Sequence, residues 1–275
     1  MLALLAVAAS CGDDVLVGVD RTGGADGGGG TGALVAVKCQ NHIYQCGDLL
    51  DNDGDGLIDA DDPDCLGPCD NTEASYYGGI PGQNNAPCRQ DCYFDQDTGT
   101  GNDDCYWNHQ CDPLSVGPGF PPSGDAKCAH DPLAKTSGTS ASCAELSLTQ
   151  SPACLAYCGP LTPNGCDCFG CCELPAGSGK HVWLGSTAGG LGTCDRERLS
   201  DPTACRPCTP VPSCTNGCDE CELCVGKAAL PQTCAGPDAA AQQCPDGAQP
   251  CGILGQNACP QAMYCVTGCC RPVPR

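Results

Sequence analysis

Cys166-Asp167-Cys168-Phe169-Gly170-Cys171-Cys172 places four cysteines within seven residues. Neighbouring cysteines such as Cys171 and Cys172 would be strained if bonded to each other, so each must reach a different partner. Two partners for adjacent residues force separate chain segments to cross at one point, as in compact cystine cores. The same reading applies to Cys269-Cys270 near the C-terminus. Cys205-Arg206-Pro207-Cys208 and Cys218-Asp219-Glu220-Cys221-Glu222-Leu223-Cys224 continue the pattern. Their spacings also suit zinc or iron–sulfur ligation, so disulfide and metal readings both stand at this point, with the compartment as arbiter.

Working outward, 31 of the 275 residues are cysteine, above the level that marks a disulfide scaffold. Setting Cys11 apart leaves thirty from Cys39 to Cys270, the even number that full pairing requires. Phe, Trp and Tyr together number only twelve, against 38 Gly and 24 Pro. Large apolar side chains supply most of the area a core can bury, and here they are scarce. The predicted fold class is therefore small disulfide-rich modules, mostly irregular with short helices and short β-hairpins, without a large hydrophobic core. Crosslinks take over from burial, each contributing about 2–4 kcal/mol by restricting the unfolded chain. Such a scaffold requires an oxidising compartment.

The first eleven residues, Met1-Leu2-Ala3-Leu4-Leu5-Ala6-Val7-Ala8-Ala9-Ser10-Cys11, form an apolar run closed by small residues and a cysteine. The run resembles a bacterial lipoprotein signal, which implies cleavage before Cys11 and lipidation of that residue. No Lys or Arg occurs before Arg21, so a start upstream stays open. No other segment approaches the roughly 18–20 apolar residues needed to span a bilayer. The expected attachment is thus to a membrane through a lipid anchor at Cys11, at the cell surface or outer membrane, with a periplasmic or secreted form as the alternative. The chain as a whole resembles the cysteine-rich surface lipoproteins of myxobacteria, a resemblance that supplies no activity.

Formal net charge is −21, concentrated in residues 38–112, where sixteen Asp/Glu face only Lys38 and Arg89. Nucleic acid and anionic membrane surfaces are poor partners for such a chain, and divalent cations good ones. The expected organisation is a signal and lipidation site at 1–11, a flexible Gly-rich tether at 12–37, and an acidic calcium-binding module at 38–112. A linker at 113–142 leads to cysteine-rich modules at 143–228 and 229–275. The acidic module holds eight cysteines, enough for four internal bridges. The fifteen of residues 128–224 and the seven beyond are both odd, so at least one bridge should join them. Ser142 with Glu145 reads as a capping box, and Ser151-Pro152 opens a second helix with a stop at Gly159. That helix carries Cys154 and Cys158 on one face, pinned to a neighbour by two bridges. Residues 181–184 and 252–254 are modest strand candidates.

The strongest chemical motif is Asp51-Asn52-Asp53-Gly54-Asp55-Gly56-Leu57-Ile58-Asp59-Ala60-Asp61-Asp62. Oxygen ligands at positions 1, 3, 5, 9 and 12, a glycine at 6 and an aliphatic at 8 match the calcium-loop template. Alternating short carboxylates on a curling backbone converge on one point, and a hard cation wants six to eight oxygens. A solvated acidic turn is the alternative. Between Cys46 and Cys65 the loop resembles a thrombospondin type 3 repeat, and is similar, less closely, to EF-hand and dockerin-type loops. The resemblance implies structural Ca2+ held by Asp51, Asp53, Asp55, the Leu57 carbonyl and Asp62, with Asp59 direct or through water. Position 12 is Asp62 where an EF-hand has Glu, and only one good copy exists. A second patch, Asp95, Asp97, Asp103 and Asp104 between Cys92 and Cys105, reads either as a further calcium site or as a Gly/Asp turn.

Catalytic motifs do not emerge. His42, His109, His130 and His181 lack partner spacing and read as surface residues, and the chain reads as non-enzymatic. The reading is a lipid-anchored, calcium-stabilised surface protein with a structural or binding role, its partner an extracellular protein or glycan. A secreted cystine-rich inhibitor or ligand of hydrolases is the first alternative, and an extracellular hydrolase with an unrecognised site the second.

Overall fold

In a computed structural model, the described residues are 36–78, 84–85, 88–95, 103–114, 128–227, 230–231, 234, 244, 247–251 and 258–273. Cys11 and the Gly252–Leu254 strand candidate lie outside them. Fifteen disulfides pair all thirty cysteines from Cys39 to Cys270. The fold is the disulfide-rich, mostly irregular type that the composition calls for, with every sulfur of the clusters bound to sulfur.

Strands are two to four residues long. β1 (Asn84–Asn85), β2 (Arg89–Gln90) and β3 (Trp107–Asn108) form an antiparallel sheet in that order. Two short helices follow, α1 (Cys143–Leu148) and α2 (Pro152–Tyr157). The central sheet runs β6-β5-β4-β9, built from β4 (Cys166–Asp167), β5 (Cys171–Glu173), β6 (His181–Trp183) and β9 (Thr215–Asn216). Between its strands lies the small hairpin β7 (Thr187–Ala188) and β8 (Leu191–Gly192). A C-terminal hairpin pairs β10 (Met263–Val266) with β11 (Cys269–Pro272), Tyr264 opposite Arg271.

The helices start where their capping residues dictate. Ser142 N–H donates to Glu145 Oε2 at 2.7 Å, and Glu145 N–H donates back to Ser142 Oγ, completing the capping box. Ser151 Oγ accepts from Cys154 N–H at 2.9 Å, with Pro152 at the first helical position. Helices this short are marginal alone, and bridges hold them. Cys154 bonds Cys105 and Cys158 bonds Cys92, so one face of α2 is stapled twice, to the segment ahead of β3 and to the turn after β2.

Adjacent cysteines do take separate partners: Cys171 reaches Cys208 and Cys172 reaches Cys166, while Cys269 reaches Cys244 and Cys270 reaches Cys259. Cys221–Cys234 is the bridge that joins the two odd groups. Residues 38–112 keep only two internal bridges, Cys39–Cys69 and Cys46–Cys65. Cys88, Cys92, Cys105 and Cys111 reach Cys128, Cys158, Cys154 and Cys143 instead. Three of these bridges weld the acidic half to the helical pair, and Cys88–Cys128 ties it to the segment ahead of α1.

Among the described residues the largest buried cluster has 25 members, eleven of them half-cystines. Sulfur, with Tyr93, Phe94, Trp107, Phe169 and Leu184, fills the centre. Gly170 is required there. It adopts φ +80°, and a Cβ would fall 2.8 Å from the Tyr93 ring, whose backbone N–H donates to the Cys168 carbonyl. His109, read from sequence as a surface residue, is instead buried against Trp183, ring centroids 4.8 Å apart. Distant segments meet: Tyr264 Oη donates to the Cys46 carbonyl at 2.8 Å across 218 positions. No helix among the described residues is long and apolar enough to cross a membrane.

Candidate metal centres

The acidic loop folds on its own carboxylates. Asp51 Oδ1 accepts from Gly54 N–H at 2.7 Å and Asp51 Oδ2 from Gly56 N–H at 3.1 Å. Asp53 Oδ1 accepts from Asp55 N–H, and Asp55 Oδ1 from Leu57 N–H. Gly54 and Gly56 both take positive φ, +86° and +92°, which gives the loop its tight curl. As a result Asp51, Asp53 and Asp55 gather exposed oxygens within 4.8 Å of one another, and Oδ2 of Asp53 and of Asp55 stays open.

The remaining predicted carboxylate ligands form a separate, buried group. Asp59 is buried and turns back on the preceding chain, accepting from Asp48 N–H at 3.1 Å and Leu49 N–H at 3.0 Å. Asp62 is 2 % exposed; its Oδ1 accepts from Asp64 N–H, and its Oδ2 has no hydrogen-bond partner. It groups with Glu73 and the Cys65 sulfur, and that sulfur is committed to Cys46. Leu57, half-buried, enters the geometry through its N–H to Asp55.

Glu73, absent from the sequence reading, is the organising residue. Fully buried, it accepts from Asn52 N–H at 2.6 Å and Asp59 N–H at 2.8 Å, gripping the loop at both ends. Spacing alone does not mark it: Cys39–Cys69 and Cys46–Cys65, whose pairing the sequence does not state, fold residues 65–73 back over the loop.

Burial pushes Asp62 up to about 7, against the Asp64 N–H, with the charges of Asp64, Asp55 and Glu73 adding to the rise. Burial likewise takes Asp59 to about 7, opposed by the Leu49 amide and reinforced by Glu73 and Asp48. Glu73 is raised by burial too, with Asp48 and Asp53 adding repulsion. A divalent cation relieves such crowding, and the donors are hard oxygens, the set calcium selects.

The second patch divides. Asp95 and Asp103 come together with the Cys92 sulfur within 4.8 Å, Asp104 stays exposed and accepts from Tyr106 Oη, and Asp97 lies outside the described residues. Asp91, not singled out from sequence, joins them: it is fully buried and raised to about 8 by burial and then by the charge of Asp103. No protein-family model, curated protein or solved structure matches this chain.

Proposed function

We propose that this disulfide-stabilised protein of an oxidising, extracytoplasmic compartment is a calcium-stabilised surface protein, tethered through a lipid on Cys11, with a structural or binding role. The observation that carries the calcium part is the buried Asp62 carboxylate with an unpartnered oxygen, beside Glu73 and under the charge of Asp55. An uncompensated buried carboxylate is costly, and a cation drawn to Asp51, Asp53 and Asp55 lowers that cost. Calcium would be held by Asp51, Asp53, Asp55 and Asp62, with Glu73 setting the loop and Asp59 tying it to residues 48–49. Once bound, it supplies charge neutralisation and a fixed loop shape. Rigid presentation is the mechanism: crosslinks and ion fix exposed loops that meet an extracellular protein or glycan.

Calcium should raise the melting temperature of the oxidised protein, and Asp53→Ala with Asp55→Ala should abolish the loop's share of that rise. An intact protein indifferent to calcium ends the reading. For the anchor, detergent-phase partitioning of the native protein should be lost in Cys11→Ser; partitioning unchanged by that substitution removes the lipid from the account.

A further inference from the structure

Glu73 is the one glutamate among the acids of residues 38–112, and it lies beyond the end of the calcium-loop motif. Its side chain is 0 % exposed. The carboxylate is seated between the two ends of the loop. Oε2 accepts from the N–H of Asn52, the residue between Asp51 and Asp53, and Oε1 accepts from Asp59 N–H.

An oxygen of Glu73 and one of Asp62 fall within 4.8 Å of each other. Two oxygens on one calcium, each about 2.3–2.6 Å from the ion, are at most about 5 Å apart. The pair is therefore spaced to share an ion. A shared proton does not account for the approach. Asp62 Oδ1 accepts from Asp64 N–H at 2.8 Å, and its Oδ2, on a side chain 2 % exposed, has no hydrogen-bond partner. A buried oxygen with nothing donating to it points to a missing partner. Glu73 still has acceptor capacity for the same partner, because an ionised carboxylate offers about four lone-pair sites and the two amides use one on each oxygen. The third neighbour, the Cys65 sulfur, is bonded to Cys46 and supplies no thiolate. Hard oxygens alone remain, the donors that suit calcium.

We infer that Glu73 is itself a ligand of the loop's calcium, brought in beside Asp62 from outside the motif. The inference rests on the calcium reading above and extends its ligand set. Position 12 of the loop is Asp62, a methylene shorter than the bidentate glutamate that closes an EF-hand loop. Glu73 supplies the longer carboxylate from the segment that Cys39–Cys69 and Cys46–Cys65 hold over the loop. The site is thus not self-contained in residues 51–62. Its ion ties the loop to the chain behind it, and Glu73 serves as amide acceptor without the ion and as ligand with it.

Infrared difference spectra, calcium minus chelator, test this on the full-length oxidised protein carrying 13C at its glutamate carboxylates. The label separates glutamate stretches from those of aspartate. Residues 51–62 contain no glutamate, so a labelled band that responds to calcium arises outside the loop. Wild type should show calcium-dependent shifts in the aspartate bands and in a glutamate band, and Glu73→Gln should lose the glutamate shift. Aspartate shifts beside a silent glutamate region overturn the inference and leave the calcium reading standing. Silence in both regions removes the two together. A glutamate shift that persists in folded Glu73→Gln also overturns the assignment. Should Glu73→Gln fail to fold, Glu73→Asp is the second variant, and it should abolish the labelled shift while the unlabelled ones remain.

Discussion

Glu73 Oε2 accepts the backbone N–H of Asn52 at 2.6 Å, and Oε1 of the same carboxylate accepts from Asp59 at 2.8 Å. A side chain far along the chain thereby fixes both the entrance and the exit of the acidic loop. Glu73→Ala strands the buried Asp59 amide, at a cost of about 1–3 kcal/mol, and releases the more exposed Asn52 amide to solvent. The variant should unfold at markedly lower denaturant than wild type even with calcium chelated. Glu73→Gln, which keeps an acceptor, should lose less. Equal losses for the two substitutions would show that the carboxylate geometry is not what holds the loop.

Asp59 and Asp62, both raised to about 7, would give the proposed calcium response a pH dependence. Their folded values lie above the ordinary carboxylate value near 3.8, so the calcium-free folded state holds protons that the unfolded chain has released. Their contribution to calcium-free stability is present below about pH 4 and fades as pH rises through 7. At the proposed site calcium would displace the Asp62 proton, so its affinity should climb over that same interval and level off above 7. Melting curves with calcium and with chelator, at intervals from pH 5 to 8, should diverge progressively. A calcium increment that does not vary with pH contradicts this assignment.

His109 sets an opposite trend on the acid side. Burial lowers it to about 4 from 6.5, so the unfolded chain binds the proton that the folded chain refuses. Its contribution is intact above 6.5 and is lost as pH falls towards 4, about 3 kcal/mol in all. His109→Gln removes that proton-binding step. The stability difference between wild type and variant should therefore shrink by about that amount between pH 7 and pH 4, in paired urea titrations. A constant difference would mean that His109 does not titrate in this range.

Asp167 anchors the turn of the central sheet. Its Oδ1 accepts from Phe169 and Cys171 N–H, both at 2.9 Å, and its Oδ2 from Val211 N–H at 2.8 Å, all fully buried. Asp167→Ala removes the acceptor for three amides and should cost about 3–5 kcal/mol. Asp167→Asn keeps one oxygen and should cost less. Chemical denaturation of the oxidised variants measures both, and a neutral Asp167→Ala would show that those amides find other partners.

The cysteines made the fold class legible, because a count and a few adjacencies determine that Cys171 and Cys172 part company. Local chemistry made both helices legible, since Ser142, Glu145, Ser151 and Pro152 act within one turn. What could not be read was connectivity over distance. Nothing near Cys88, Cys92, Cys105 or Cys111 states that its partner lies 32 to 66 residues onward. Glu73 and Asp91 escaped notice for the same reason. Their roles arise only after crosslinks bring their segments to the acids they join. Asp59 fits the calcium template by spacing, yet the free amides of Asp48 and Leu49 draw it backwards.

The account rests on sulfur being bonded to sulfur throughout. Denatured, unreduced protein from its native source should be treated with iodoacetamide and its intact mass taken before and after. None of the thirty cysteines from Cys39 to Cys270 should gain an adduct, and prior reduction should expose all thirty. A mass gain corresponding to many alkylated cysteines without reduction would contradict the disulfide scaffold on which everything else is built.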